Sequence, residues 1–294
     1  MSHGDNTASG GPDGRSARPV PVKSVQVKIP TERGITLAGT LDLPGWVSDS
    51  ERRNLPTAVV AHCFTCNKSS PGVSRISKTL ARHGMASLRI DFAGLGKSEG
   101  EFARSSLDTN VADVVAAADW LAEQGSSPLL LVGHSLGGAA VLRAGSLVDS
   151  VRAVATVGVP YDPRYAAATI PDVVRELSDN DLEEAGLASR PIKIGVALLQ
   201  SLAAYDPAEV LRELGSVEDR RTDGSGVSLL FVHSPLDRTV PFRNALQLIE
   251  TAGQPASLIA VPEVDHLLTW KGAGTRVGEL IATWAEPLVQ KSEA

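Results

Sequence analysis

Apolar and polar positions follow two different patterns along this chain, and each predicts a kind of β-strand. In SVQVKI and GITLAGTLDLP, which begin at Ser24 and Gly34, apolar and polar residues alternate on either side of a TERG turn. Alternation of this kind around a short turn predicts an antiparallel hairpin. The later apolar runs are continuous instead: TAVVAHC, ASLRIDF, PLLLVGH, VRAVATVGV, SLLFVHS and ASLIAVP. Continuous runs are typical of a parallel sheet that is covered on both faces.

Helical patterns lie between the continuous runs. In 107–122 the apolar residues recur at helical spacing, and the acidic residues lie mostly off that face. Four further helices are predicted, at 72–83, 136–147, 242–252 and 275–288. Strands that alternate with helices after a leading hairpin predict an α/β fold with a doubly wound sheet.

One interval, 161–226, breaks this alternation. It contains no convincing strand, and its short helical stretches lie at 171–187, 192–204 and 207–214. The interval is too long for a connecting loop. We therefore predict a helical cap insertion that lies over one edge of the sheet.

Length and composition place the chain among ordinary globular proteins. With 294 residues, of which 43% are hydrophobic and 21% charged, it can bury a large core and form one α/β domain with an insertion. Residues 1–22 are rich in Gly, Ser, Pro and Asp, and they are predicted to be a disordered tail. The core of the domain, without this tail and the insertion, is assigned to 23–160 and 227–290.

The charge balance narrows the classes of partner. The net charge is -6, and no basic cluster lies on a predicted element, which argues against nucleic acid or an anionic membrane as the main partner. No apolar run approaches the roughly 20 residues that span a bilayer, and the N-terminus lacks a signal-peptide pattern. Two cysteines in so long a chain fit a reducing compartment. These features predict a cytoplasmic protein.

The most specific motif is G-x-S-x-G, present as GHSLG at 133–137 between a predicted strand and a predicted helix. A sharp strand-to-helix turn exposes the serine hydroxyl and brings backbone segments close together, which explains the flanking Gly133 and Gly137. The helix N-terminus also directs free N–H groups toward a developing oxyanion. We predict that Ser135 is a nucleophile. The alternative is a Gly-rich turn whose serine only caps the helix.

A serine nucleophile needs a base, and the position of His266 suits that role. His266 follows the last continuous apolar run, on a loop at the carboxyl edge of the predicted sheet, where functional groups collect. The other histidines are predicted to lie in the tail or to have structural roles: His3, His62, His83, His134 and His233.

An acid that orients the base is expected on an earlier loop of the same edge. Asp237 comes just after the SLLFVHS run, and the order Ser135, Asp237, His266 is the order of nucleophile, acid and base in α/β-hydrolases. Three other aspartates are weaker candidates: Asp91, Asp162 and Asp265. Asp91 precedes the serine, and it is predicted to organise the Gly-rich turn that follows it.

From about Ser24 to Leu288 the chain resembles the α/β-hydrolase superfamily of serine esterases. The resemblance rests on HCFTC, RIDFAGLGKSEG, NVADVVAAADWL and GHSLGGAAVL, which together look like the hydrolase domain that many bacterial proteins carry fused to an OsmC-like domain. It implies an eight-stranded, mostly parallel sheet with a helical cap and carboxylesterase-type activity on acyl esters. It also implies that Ser135, Asp237 and His266 form the catalytic triad.

The same template assigns a backbone role to the HCFTC loop. In the superfamily this loop usually reads His-Gly-x, and the N–H of x joins the N–H that follows the nucleophile in an oxyanion hole. His62, Cys63 and Phe64 align with that pattern, which gives Phe64 and Leu136 as the two donors. Because Cys63 replaces the glycine, the first donor is left open between Phe64 and Thr65.

The C-x-x-C spacing of Cys63 and Cys66 has competing interpretations. A zinc site needs four ligands, and adding His62 and His83 gives no usual zinc spacing. A redox dithiol normally opens a helix, whereas here several residues intervene before the predicted helix. The remaining interpretation is that two small cysteines fill space behind the oxyanion loop.

The sequence thus predicts a carboxylesterase-type serine hydrolase that acts on small, short-chain acyl esters and needs no cofactor or metal. A second hypothesis is a thiol redox or docking module that works with an OsmC-like peroxidase partner through Cys63 and Cys66. The insertion at 161–226 is a candidate homodimer surface.

Overall fold

Eight strands form one twisted sheet in the computed structural model, which describes residues 20–48, 50–64, 66–164, 183–187, 190–215, 226–253, 255–262 and 264–289. The sheet order is β1-β2-β4-β3-β5-β6-β9-β10. The strands are β1 (Val22–Pro30), β2 (Thr36–Pro44), β3 (Thr57–Ala61), β4 (Ala86–Ile90), β5 (Leu130–His134), β6 (Ala153–Val157), β9 (Ser228–His233) and β10 (Ala256–Ala260). β1 and β2 form the predicted hairpin, β2 pairs antiparallel with β4, and all later pairs are parallel.

Seven α-helices lie in the described part of the chain. They are α1 (Pro71–Arg82), α2 (Leu107–Glu123), α3 (Leu136–Gly145), α4 (Val196–Ala203), α5 (Pro207–Gly215), α6 (Arg243–Ala252) and α7 (Ala273–Val289). Ser106 and Thr109 form a reciprocal capping box at the start of α2, which satisfies two N–H groups there. The predicted helices of the core are all present, with ends that shift by a few residues.

The central strands are buried on both faces, as their continuous apolar runs predict. Leu131 belongs to an apolar cluster with α2 and α3, whereas its neighbours Leu130 and Val132 belong to a second cluster with α1 and α7. Successive side chains of a strand point to opposite faces, so one short run supplies both layers of the core. The predicted α/β fold with a sheet covered on both faces is therefore confirmed, and the carboxyl ends of its parallel strands meet at one edge.

The interval between β6 and β9 departs from the prediction of helices alone. An antiparallel pair, β7 (Glu183–Leu187) with β8 (Arg190–Ile194), stands where the ends of two predicted helices were expected. Gly186 is a poor helix former, and Pro191 removes a backbone donor, which an edge strand tolerates better than a helix interior. The two later helices, α4 and α5, agree with the sequence.

Parts of the predicted tail and cap lie outside the described residues. These parts are 1–19, 165–182, 188–189 and 216–225. The proposed division into tail, core and cap therefore stays a prediction. In the described ranges, no helix is both long and apolar enough to cross a bilayer.

Candidate active site

Ser135 occupies a strained turn between β5 and α3. Its φ is 53° and its ψ is -122°, a combination that L-residues rarely adopt. The Ser135 N–H donates to the carbonyl oxygen of Val157 at 2.9 Å, and the Ser135 carbonyl accepts from the N–H of Gly138 at 2.8 Å. The glycines beside the serine are sterically required, since a Cβ at Gly133 would lie 2.4 Å from the carbonyl oxygen of Gly137. The surrounding structure thus fixes an otherwise unfavourable conformation.

Ser135, His266 and Asp237 are joined by two hydrogen bonds. The Oγ of Ser135 lies 3.0 Å from Nε2 of His266, and Nδ1 of His266 lies 2.7 Å from Oδ2 of Asp237. The Ser135 side chain makes no capping hydrogen bond to α3. The hydroxyl therefore points to the imidazole and not to the helix, which disfavours the interpretation of the serine as a cap.

The Asp237 carboxylate is held in place by backbone amides. Its Oδ1 accepts the N–H groups of Thr239 at 2.9 Å and Val240 at 2.8 Å, which leaves Oδ2 for His266. Burial by itself raises the pKa of Asp237, but the hydrogen bond and charge of His266, with the Val240 amide and His233, outweigh burial and lower the pKa. Asp237 is therefore kept ionised, and it fixes the His266 tautomer with the proton on Nδ1.

The competing aspartates are each engaged elsewhere. Asp265 accepts from the backbone N–H of Thr269, 2.7 Å from Oδ1, and from its hydroxyl. Asp162 pairs with Arg164. Asp91 accepts the N–H of Lys97 at 2.9 Å, so it does organise the turn after β4.

Three other histidines are buried and neutral. Burial lowers the pKa of His62 to about 4 and that of His134 to about 3, and it also lowers the pKa of His233. His134 Nε2 donates to the carbonyl oxygen of His266 at 2.7 Å, and His233 Nε2 donates to that of Val240 at 2.8 Å. His134 and His233 therefore support the loops that carry His266 and Asp237, whereas His62 bonds Cys63 and Phe92.

Gly158 belongs to the site although the sequence did not single it out. It follows β6 with a φ of +58°, and a Cβ there would lie 3.3 Å from both Oδ2 of Asp237 and Nδ1 of His266. The hydrogen bond between those two atoms therefore packs directly against the Gly158 backbone, with little room for a side chain there. The available signal was a glycine placed directly after a continuous strand at the carboxyl edge of the sheet.

The HCFTC loop forms a tight turn beside the nucleophile. The Cys66 N–H donates to the carbonyl oxygen of Cys63 at 3.1 Å, and a disulfide joins the two side chains. Phe64 lies inside the turn, with its ring 5.6 Å from that of Phe102, and Thr65 lies outside the described residues. Among the backbone hydrogen bonds of the described turns and loops, none has the N–H of Phe64 or Leu136 as its donor.

The disulfide differs from the free thiols that the sequence favoured. Both sulfurs are taken up in the bond, and Cys63 is only 4% exposed. In the structure the pair closes the turn that contains Phe64. Nothing in the described residues supports the alternative of a thiol redox or docking module with an OsmC-like partner.

An open cavity of 690 Å³ adjoins the imidazole. Its lining includes Asp237 and His266 together with three large apolar side chains, Leu236, Leu267 and Trp270, which are 56%, 49% and 47% exposed. Exposed apolar side chains concentrated beside polar reactive groups are typical of sites that bind small organic molecules.

The geometry agrees with comparisons to known proteins. Residues 58–275 match the Alpha/beta hydrolase family. The chain belongs to this family. As a hydrolase it is similar to the esterase domain of a Rhodothermus marinus protein, at 35% identity and a TM-score of 0.69, over 92% of this chain and 99% of that one.

More distant relatives agree on the fold. The hydrolase resembles Est1E from Butyrivibrio proteoclasticus, solved with ferulic acid, at 22% identity and a TM-score of 0.70, over 90% of this chain and 100% of that one. It is 24% identical to Protein ABHD12B from Homo sapiens over 70% of this chain. The match spans about half of that curated relative, 52% of its length. The likeness to hydrolases fused with OsmC-like domains stays a prediction.

Proposed function

We propose that this hydrolase is a carboxylesterase-type serine hydrolase in which Ser135, His266 and Asp237 are the catalytic triad. The observation that carries the proposal is the continuous hydrogen-bonded path from Oγ of Ser135 through the imidazole to the Asp237 carboxylate. A serine hydroxyl is a weak nucleophile unless a positioned base takes its proton, and this path supplies that base.

In the acylation step, Oγ of Ser135 attacks the ester carbonyl carbon and its proton passes to Nε2 of His266. The carbonyl oxygen becomes an oxyanion, which the N–H groups of Leu136 and Phe64 stabilise. The tetrahedral intermediate then breaks the bond to the alkoxy oxygen, which leaves as an alcohol with the proton from Nε2. Asp237 stays ionised and stabilises the imidazolium that forms between these events.

Deacylation repeats the sequence with water as the nucleophile. His266 takes a proton from water as it attacks the acyl-enzyme carbonyl, and it returns that proton to Oγ of Ser135. The products are a carboxylic acid and the free enzyme, so the reaction needs no external cofactor. Each oxyanion donor is typically worth about 100- to 1000-fold in turnover.

We propose small esters with short acyl chains as substrates. Leu236, Leu267 and Trp270 are exposed around a cavity that borders His266 but not Ser135, and they favour an apolar or aromatic group next to the base. The ferulic acid bound by Est1E supports an aromatic acid ester as a substrate class to include.

Substitution of the nucleophile tests the proposal. Ser135→Ala is expected to reduce release of p-nitrophenol from p-nitrophenyl acetate by on the order of 10⁴-fold or more. A fluorophosphonate should add its mass to the peptide with Ser135 in the wild type and not in the variant. Ser146→Ala, at the end of the same helix, is the matched control and should keep both activities. Turnover that survives in Ser135→Ala would exclude this mechanism.

A further inference from the structure

Lys68 is a buried cation that the proposed reaction does not use. Its side chain is 4% exposed, and it lies in the loop between β3 and α1, two residues after the disulfide. Taking an ammonium group out of water is costly unless it is paired and hydrogen-bonded. A lysine in this place therefore needs partners that fix its position closely.

Every polar group of Lys68 is bound by two residues at the end of β4. Its Nζ pairs with Oδ2 of Asp91, and its backbone N–H donates to Oδ1 of the same carboxylate at 2.6 Å. Its carbonyl oxygen accepts from Nη1 of Arg89 at 2.6 Å. Side chain and backbone of the loop are thus tied to one point of the sheet.

The partners of Lys68 are themselves buried and paired. Arg89 also donates from Nε to Oδ2 of Asp42 at 2.7 Å, and that oxygen accepts the hydroxyl of Ser77 at 2.6 Å. Asp91 is packed so tightly that a Cβ at Gly96 would lie 2.3 Å from its carboxylate. Two cations and two carboxylates form a compact network, so a shift of Lys68 breaks several charge-assisted hydrogen bonds.

The other side of the loop is tied to the same end of β4. His62 accepts the N–H of Phe92 on Nε2 at 3.2 Å, and its Nδ1 donates to the carbonyl oxygen of Cys63 at 2.8 Å. The turn with Phe64 therefore lies between two attachments to β4, one through His62 and one through Lys68.

We propose that Lys68 is a positioning residue for the hydrolytic reaction: through Asp91 and Arg89 it fixes the loop so that the Phe64 N–H faces the oxyanion. This inference rests on the proposed function, because it assumes that Phe64 is an oxyanion donor. It predicts that loss of the cation weakens binding of the transition state and leaves binding of the substrate nearly unchanged.

Lys68→Met tests the inference by removing the charge with little change in volume. We expect kcat for p-nitrophenyl acetate to fall about 10- to 100-fold, part of the typical worth of one donor, while KM stays within about threefold. Affinity for a boronic acid, which forms a tetrahedral adduct with the serine, should fall by about the same factor as kcat. If the role of Lys68 were purely structural, the variant would have a lower thermal midpoint, but its kcat and its affinity for the boronic acid would equal those of the wild type.

Arg143→Met is the control. It removes the cation of another ion pair, the one with Asp108, which within the described residues shares no hydrogen bond with the segment after β4, and it should keep the wild-type kcat. If Lys68→Met does not fold, Lys68→Gln, which keeps an N–H donor for Asp91, decides the question by the same measurements. Wild-type kcat and boronate affinity in a folded Lys68 variant would overturn the inference. Residual turnover in Ser135→Ala would instead overturn the proposed function, so the two failures are distinguishable.

Discussion

Gly137 lies so close to the carbonyl oxygen of His62 that residue 137 has no room for a side chain. A Cβ at Gly137 would lie 2.3 Å from that oxygen. This contact joins α3, which begins with the Leu136 N–H, to the start of the HCFTC loop, which carries the Phe64 N–H. The separation of the two proposed oxyanion donors therefore depends on Gly137, which is neither of them.

Gly137→Ala is expected to separate these two segments. The added methyl group should cost about 1–3 kcal/mol of unfolding free energy and lower kcat at least about tenfold. Urea unfolding and p-nitrophenyl acetate turnover measure the two effects. Gly215→Ala, where a Cβ meets nothing within 4 Å, is the control and should lower neither value.

Asp237→Asn tests the choice of acid. An amide in place of the carboxylate no longer fixes the His266 tautomer with the proton on Nδ1, and kcat is expected to fall by about 10⁴-fold. Asp265→Asn removes a carboxylate that adjoins His266 in sequence but bonds Thr269, and it should keep wild-type activity. If the Asp265 variant lost more activity than the Asp237 variant, the assignment would have to be reversed.

Removal of the disulfide is expected to affect the turn more than the fold. Because the bond closes a loop of only four residues, Cys63→Ser with Cys66→Ser should cost about 2 kcal/mol or less in the chain-entropy account. The kcat should fall by more than the loss of folded enzyme explains, because Phe64, a proposed oxyanion donor, lies inside the turn. Dithiothreitol should reproduce the loss in the wild type and have no effect on the double variant; equal activity before and after verified reduction contradicts the prediction.

The buried histidines predict a loss of stability in acid. Folding lowers the pKa of His62 to about 4 and of His134 to about 3, whereas an unfolded histidine titrates near 6.5. Between these values the unfolded state binds more protons, so stability is present above pH 6.5 and falls as the pH drops, by up to about 1.4 kcal/mol per pH unit for each histidine. Urea midpoints of His134→Gln should fall less steeply from pH 7 to 4 than those of the wild type. His83→Gln, at an exposed helix end, should follow the wild type.

Asp113 has the opposite effect on the pH dependence of stability from that of the buried histidines. Burial raises its pKa to about 6, against the hydrogen bond from the Ala93 N–H and the charge of Arg33. In the folded state Asp113 is protonated below about pH 6, whereas in the unfolded state it is protonated only below about pH 3.8. The folded state therefore binds more protons between these values, and the contribution of Asp113 to stability falls as the pH rises from about 4 to 6. The stability of the wild type relative to Asp113→Asn should fall over the same interval. A difference independent of pH contradicts this, and exposed Asp108→Asn on the same helix is the control.

The order of elements and the positions of the proposed triad followed from local patterns. A continuous strand, a G-x-S-x-G turn and polar loops after later strands are local signals, and parallel strands bring such loops to one edge whatever the details of packing. The same reasoning placed Asp237 ahead of its rivals, by its position just after a continuous strand and by the order of nucleophile, acid and base.

What the sequence missed depends on contacts between distant segments. Lys68 and Asp91 are 23 residues apart, and a lone lysine in a polar loop is ordinarily exposed. Asp113 was placed off the apolar face of α2, yet it is buried because the Ala93 N–H and Arg33 meet it there. The pair β7 and β8 was missed because short segments have weak intrinsic preferences that neighbouring chain can override.

The interval 161–226 leaves the sheet after β6 and returns to it at β9, and these strands are direct neighbours. Both ends of the interval therefore lie next to each other in the sheet. Ser135 precedes the interval, and Asp237 and His266 follow it, so the interval contains none of the proposed catalytic residues. Exchanging this interval between related hydrolases would therefore leave every proposed catalytic residue in the recipient chain.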